Sequence, residues 1–277
     1  MEPVLYNKNK HERDDSLIFE ESTHTYTILH DSNNKYTSVT TWVHEHFPTF
    51  NADLIISHMM NGKKWNPDNK YWGMSPQEIK DKWNADGKES ARLGTNLHYD
   101  IECFMNQNIS TTPSQKNLLE NYNMSNEKQK QDTPEWNYFM KFIKDNEDLV
   151  AYRTEWMIYH EELKLAGSID MVYENPDSTL VIYDWKRSKN IEMGNPFRKY
   201  STSKLISHIP DTNLWHYSLQ LNIYKALLED KYGKKVVGLY LIRLHPNGES
   251  YECIPCKDLS SEVSELINHR YTNALNH

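Results

Sequence analysis

The chain has 277 residues, 38% of them hydrophobic, and its 31 Lys and Arg against 39 Asp and Glu leave a formal net charge of -8. That is room for one large domain or two small ones with a real core, and the acidic balance excludes a generally basic surface, so any nucleic-acid path must be local. No apolar run approaches a membrane span, and the start, Met1-Glu2-Pro3-Val4-Leu5, has neither a signal-peptide core nor an Arg-rich transit pattern. A soluble, intracellular protein without a membrane partner is expected, with cytoplasm, nucleus and viral factory left unresolved.

Residues 1–16 are charged and polar and read as a loose tail. From Phe19 to Val43 the pattern predicts a hairpin, Thr23 to Leu29 against Lys35 to Val39 around Asp31-Ser32-Asn33-Asn34, running into a short helix. Ser75-Pro76-Gln77-Glu78 is a capping box with Pro at the first helical position, so a helix starts there and leads past Gly87. Residues 17–92 thus make an N-terminal hairpin and helical lobe, and 93–277 a core, the whole expected as one elaborated domain. In Leu93 to Glu102 the stripe Leu97, Ile101, Met105 sets His98 and Glu102 one turn apart along a helix edge. Residues 106–133, rich in Asn, Gln, Ser and Lys, read as a polar insertion, a mobile loop or part-helical arch. A helix from Pro134 to Asp145 turns Trp136, Phe139, Met140 and Ile143 inward.

A strand meander follows. Leu165 to Tyr173 and Leu180 to Lys186 flank the turn cluster Glu174-Asn175-Pro176-Asp177-Ser178, which forms a hairpin and brings Asp170 beside Asp184. Because alternate strand residues share a face, Asp184 and Lys186 point together while Val181, Tyr183 and Trp185 point the other way. Two half-buried carboxylates this close repel unless a proton or a cation lies between them. A hard divalent ion, Mg²⁺ or Mn²⁺, resolves the conflict, and Lys186 would stabilise charge on a bound phosphate. Ser188 to Asp211 is a long irregular stretch leaving that strand. Basic clusters at Lys186-Arg187-Ser188-Lys189 and at Arg198-Lys199 with Lys204 flank the site, whereas Lys231 to Lys235 suits a helix end. Tyr217 to Leu228 is a helix apolar almost all round, so Gln220 and Tyr224 should be buried and need partners. Val236 to Leu244 and Glu249 to Ile254 predict two strands, closed by a helix from about Leu259 to Leu275. The three cysteines, Cys103, Cys253 and Cys256, are one short of a four-thiolate iron–sulfur cluster, so no cluster is expected.

Four motifs occur in order: Gly94-Thr95-x-x-His98, Gly167-x-Ile169-Asp170, Asp184-Trp185-Lys186 and Gln220-x-x-x-Tyr224. Together they resemble the RecB-like branch of the PD-(D/E)XK nucleases, which includes CRISPR-adaptation exonucleases and the mitochondrial genome-maintenance exonuclease. Ser38-Val39-Thr40 is similar to a segment these proteins carry near their start. The resemblance implies an α/β, restriction-endonuclease-like core with a mixed central sheet flanked by helices. It implies that His98, Asp170, Asp184 and the main-chain carbonyl of Trp185 bind one or two metal ions, and that Lys186 is catalytic. Glu155 matches an acidic residue often found on the preceding strand, with a solvated strand carboxylate as the equal alternative. Gln220 and Tyr224 would support the lysine or touch the DNA backbone, and Thr95 and Ser188 would contact phosphate, with Arg187, Arg198, Lys199 and Lys204 on the nucleic-acid path. The chain departs from many members in having Asp, not Glu, two residues before the lysine. The expected activity is metal-dependent hydrolysis of DNA, as an exonuclease on single-stranded or free-ended substrate in replication, repair or recombination. An RNA endonuclease of cap-snatching type and a non-catalytic nucleic-acid-binding subunit are the alternatives.

Overall fold

The computed structural model describes residues 3–124, 132–194 and 198–275. The chain divides into two compact units, residues 49–96 and the remainder. The larger unit is built on a mixed sheet. β4 (Val150–His160), β5 (Leu165–Glu174) and β6 (Leu180–Lys186) form an antiparallel meander. After α7 (Asn213–Lys231) the chain returns as β7 (Val236–Arg243), parallel to β6, and β8 (Glu252–Pro255) pairs antiparallel with β7. β3 (Thr37–Ser38) lies parallel to the start of β5. Since β4 accompanies β5 along its whole length, β3 and β6 must share the other edge, β3 at Leu165 and Ala166 and β6 from Met171 to Glu174. Gly167 to Asp170 therefore has no ladder partner on that edge, and the sheet is notched there.

Helices cover both faces, as the alternation in β6 requires. Leu180 and Ile182 enter one core with α2 (Val39–Glu45), α7 and α8 (Ser260–Leu275). Val181, Tyr183 and Trp185 enter the other with α1 (Val4–Lys8), α5 (Gln115–Met124), α6 (Pro134–Asp145) and the last turns of α4 (Pro76–Met105). Trp185 sits edge-on to Phe139 and Phe142, ring centroids 5.5 Å away in each case. Each such aromatic stabilises the fold by roughly 1.5–3 kcal/mol through area alone. α6 begins where its sequence says, Thr133 accepting from the Trp136 amide ahead of Pro134, though Phe142 is buried and Met140 only partly so.

Two expectations are corrected, and for the polar insertion the part-helical alternative holds. The N-terminal residues are not a loose tail over the part described: Leu5 is buried, and Asp14 receives Arg153 at 2.6 Å and the Trp156 indole N–H at 3.0 Å, anchoring the segment to β4. The hairpin expected within Phe19 to Val43 forms one strand earlier, between β1 (Leu17–Glu20) and β2 (Thr25–Ile28). The turn lies at Glu21 to His24, with His24 left-handed at φ 54°, because Thr37 and Ser38 are taken by β5 instead. The polar insertion is helical from Gln115 to Met124, where Leu118 supplies a buried apolar anchor; residues 125–131 lie outside the described residues.

The smaller unit holds the helical part of the expected lobe. It contains α3 (Ala52–Met60) and the first part of α4, which starts at the capping box: Ser75 N donates to Glu78 at 2.7 Å and Glu78 N donates to Ser75 Oγ at 3.3 Å. Ile56, Tyr71 and Ile79 make its small core with Met59, Met60, Trp65, Met74 and Trp83.

At the notch, Gly167 lets α7 approach β5. A Cβ there would stand 2.7 Å from Tyr224 Cε1 and 3.0 Å from its hydroxyl. Gly167→Ala should therefore cost about 1–3 kcal/mol of stability through overpacking. Urea unfolding checks this, and a midpoint equal to that of the wild type would show that Tyr224 moves freely.

Candidate active site

The unpaired stretch of β5 ends at Asp170. Continuing the β5/β6 register would set Asp170 opposite Asp184, but the ladder stops at Met171 and Tyr183. Instead the Trp185 amide donates to Asp170 Oδ2 at 2.9 Å, so a carboxylate occupies the place of a backbone carbonyl. The Thr154 hydroxyl donates to the Asp170 carbonyl at 2.9 Å. From α4, the edge position of His98 beside the buried Leu97, Ile101 and Met105 brings its ring down onto the sheet. His98 Nε2 lies 3.0 Å from the Trp185 carbonyl, and Nδ1 lies 3.7 Å from both Glu155 Oε1 and Asp170 Oδ2.

Glu155 on β4 is left-handed at φ 45°, a region that non-glycine residues seldom occupy and that marks functional strain more often than chance. Its other oxygen accepts from Ser168 Oγ at 3.1 Å. Ligand atoms of His98, Glu155 and Asp170 all lie within 4.8 Å of one another. Glu155 is thus the third member of the tight grouping, the position expected for Asp184. Asp184 is 2% exposed and paired with Lys186, Nζ 2.5 Å from Oδ2. Lys186 Nζ also sits 4.5 Å over the Tyr217 ring.

Burial disfavours every charge here, and the neighbours decide the outcome. Asp184 is pushed up, first by burial and then by Asp170. Asp170 is raised by burial against the pull of His98. Burial works against Lys186 too, but Asp184 and Asp170 outweigh it and hold its ammonium charged. His98 is lifted to about 9, since Asp170 and Glu155 overcome the cost of burial. Its imidazolium thus does what a cation would do among these oxygens. Two clustered carboxylates, an imidazole and a carbonyl, with the buried Asp184 carboxylate beside them, are a donor set that fits a hard divalent ion of the Mg²⁺ or Mn²⁺ kind. A second grouping, His160, Glu161 and Glu162, is already neutralised, Arg13 holding Glu161 and Lys231 holding Glu162, each at 2.8 Å.

The other expected residues scatter. Gln220 Nε2 donates to the Tyr224 hydroxyl at 3.2 Å, next to Gly167. Arg187 Nε donates to Glu135 at 2.8 Å in a largely buried pair that ties the end of β6 to α6. Ser188 donates to the Asn190 carbonyl, while Arg243 grips the Ser188 and Lys189 carbonyls. Arg198, Lys199 and Lys204 are exposed and make no ion pair among the described residues. The loop that carries them is docked through Ser201 and Thr202 to the His46 carbonyl, and through the buried Ile206 and Ile209. Residues 195–197, within the irregular stretch Ser188 to Asp211, lie outside the described residues. Thr95 is exposed on α4. Cys256 is pushed up to about 12, first by burial and then by Asp184, which keeps its thiol protonated. Sequence reasoning missed Tyr217 and Ser168, although Tyr217 shares a helical face with Gln220 and Tyr224, and Ser168 lies two residues from Asp170 on the same strand.

A family model described as "PD-(D/E)XK nuclease superfamily" matches residues 78–276. No curated protein matches the chain. A solved structure titled "Crystal structure of SSO0001" is similar at 15% identity over 87% of this chain and 76% of its own, with a TM-score of 0.31, a likeness too loose to argue from.

The charge pattern has a pH consequence. With no metal, protonated His98 stabilises the fold fully below its unfolded value near 6.5, and that contribution is lost as pH rises through about 9. Asp170 and Asp184, raised, take stability away as they ionise. A divalent ion takes the place of those protons, so the rise in Tm on adding Mn²⁺ should be larger near pH 9 than near pH 6. Differential scanning calorimetry tests this against Asp170→Asn, in which the gain should shrink. A gain that falls with pH would place the ion elsewhere.

Proposed function

Because the chain belongs to the PD-(D/E)XK nuclease superfamily and is therefore a phosphodiester hydrolase of metal-dependent type, we propose that it is an exonuclease acting on single-stranded or free-ended DNA. The observation that carries the reading is the meeting of His98, Glu155 and Asp170 with the Asp184–Lys186 pair at the notch between β5 and β6. Contact between Tyr224 and Gly167 supports the RecB-like branch over the cap-snatching alternative, which is not expected to carry the Gln220–Tyr224 helix. In that branch exonucleases on DNA predominate, so the choice of DNA and of a free end is by analogy.

His98, Glu155, Asp170, Asp184 and the Trp185 carbonyl are the groups available to hold Mg²⁺ or Mn²⁺. Such an ion supplies polarisation of a phosphate oxygen and acidification of a water. Lys186, charged and fixed beside Asp184, presents a preorganised cation to the charge that builds on the phosphate. The Thr154 and Trp185 contacts fix Asp170 so that its carboxylate does not reorganise during reaction. Arg198, Lys199 and Lys204 on the docked loop offer free cations for the strand's phosphates.

End-labelled single- and double-stranded DNA and RNA, with Mg²⁺, Mn²⁺ or chelator, test the reading. A metal-dependent ladder of mononucleotide steps from DNA ends is expected, and internal cuts in RNA alone would overturn it. Lys186→Ala should cut turnover by about two to three orders of magnitude with DNA binding nearly intact. Near wild-type turnover in that variant would move the chemistry elsewhere. Changing Arg198, Lys199 and Lys204 together to Ala should weaken binding and flatten its salt dependence by up to ~2 units of log–log slope, at about 0.7 per single-strand phosphate contact. An unchanged slope and affinity would remove that loop from the binding surface.

A further inference from the structure

The chain is acidic as a whole, yet residues 49–96 carry seven Lys and Arg against six Asp and Glu, and three of its eight tryptophans. Within this unit, Gly62-Lys63-Lys64-Trp65 and Asn69-Lys70-Tyr71-Trp72 place lysines directly before aromatic rings. Trp72 is 47% exposed, with its ring centroid 5.6 Å from that of Trp65. Trp65 and Tyr71 belong to the small core, but Trp72 does not. One exposed ring alone would signify nothing, but Trp72 and Phe50 are both exposed on this one small unit, and exposed apolar surface rimmed by polar residues marks a place of interaction.

The rings stand on a firm support. Asn69 is the tie: its side chain donates to the Lys64 carbonyl at 3.1 Å and accepts from the Tyr71 amide at 3.0 Å, while its carbonyl accepts from the Trp72 amide at 2.8 Å. Tyr71 then receives the Trp83 indole N–H at 2.7 Å, clamping the loop to α4. Beyond Trp83 the row continues to Phe50, 70% exposed, and a cleft of about 280 Å³ opens there, lined by Phe50, Ala52, Lys80, Trp83 and Asn84. Lys63, Lys64 and Lys70 make no ion pair among the described residues, and Lys70 Nζ lies 4.5 Å over the Tyr71 ring.

We infer that this unit is a single-strand platform, on which unpaired bases stack against Trp72 and in the Phe50 cleft while Lys63, Lys64 and Lys70 take the phosphates. Flat rings with adjacent free cations match a strand whose bases are exposed, and a duplex offers no such faces. The identity of the ligand rests on the nuclease reading above, but its binding does not require cleavage. Anisotropy of labelled oligo(dT), oligo(U) and duplex DNA, measured on the whole protein in chelator, separates the two. Trp72→Ala should weaken single-strand binding by about tenfold or more, Trp72→Phe should retain most of it, and duplex affinity should not change. Equal DNA and RNA effects would mean that the platform reads bases without the sugar. Single-strand affinity unchanged in Trp72→Ala, or equal losses on duplex and single strand, would overturn the platform. Either result would leave the metal-dependent cleavage test standing on its own. So would a wild type that binds no single strand, which likewise overturns this inference. Circular dichroism verifies that the variants fold, as expected for a half-exposed side chain.

Discussion

The arrangement around the notch depends on charge compensation among groups that would each be costly to bury alone. Asp170 and Asp184 lie on adjacent strands with little access to water, and their mutual repulsion and desolvation must be met locally. Lys186 answers Asp184 and His98 answers Asp170 and Glu155. Loss of either cation would leave an acid that must take up a proton. A divalent ion held there would answer the same carboxylates that the imidazolium's proton answers in its absence.

The sheet reaches this state by giving up hydrogen bonds. β6 leaves β5 after Met171 and Tyr183, and the freed Trp185 amide turns to the Asp170 side chain. That exchange orients the carboxylate and leaves the Trp185 carbonyl facing His98. α7 closes over the gap because Gly167 carries no side chain, so Tyr224 can lie against the backbone. Glu155, left-handed within β4, adds a third local irregularity at one point. Two departures from regular strand geometry and one glycine contact meet where the polar groups converge, as expected when packing elsewhere sustains a functional constellation. The buried Arg153–Asp14 pair on β4 and the Trp185–Phe139–Phe142 cluster on β6 are part of that packing.

Local signals determined much of this protein. The hairpin at Glu174 to Ser178, the capped starts at Thr133 and Ser75, and the strand parity that pairs Asp184 with Lys186 all follow from neighbours a few residues apart, and the structure has them. The motif order pointed to the nuclease superfamily because the residue types at those spacings are what the chemistry needs. Contacts distant in sequence decided the rest. β3 pairs with β5, not with β2, since a two-residue strand has no register of its own and takes the edge the sheet offers. The N-terminal segment is ordered by Arg153 and Trp156, which lie about 140 residues away and leave no mark in its composition. Arg187 reads as a basic residue beside the site, but Glu135 on α6 captures it. Glu155 is legible as a candidate from its place on the preceding strand, but the left-handed backbone with which it joins His98 and Asp170 is not. Spacing along a strand tells which side chains share a face; which charges meet across faces depends on how helices and strands are laid together, because an ion pair needs proximity in space and not in sequence.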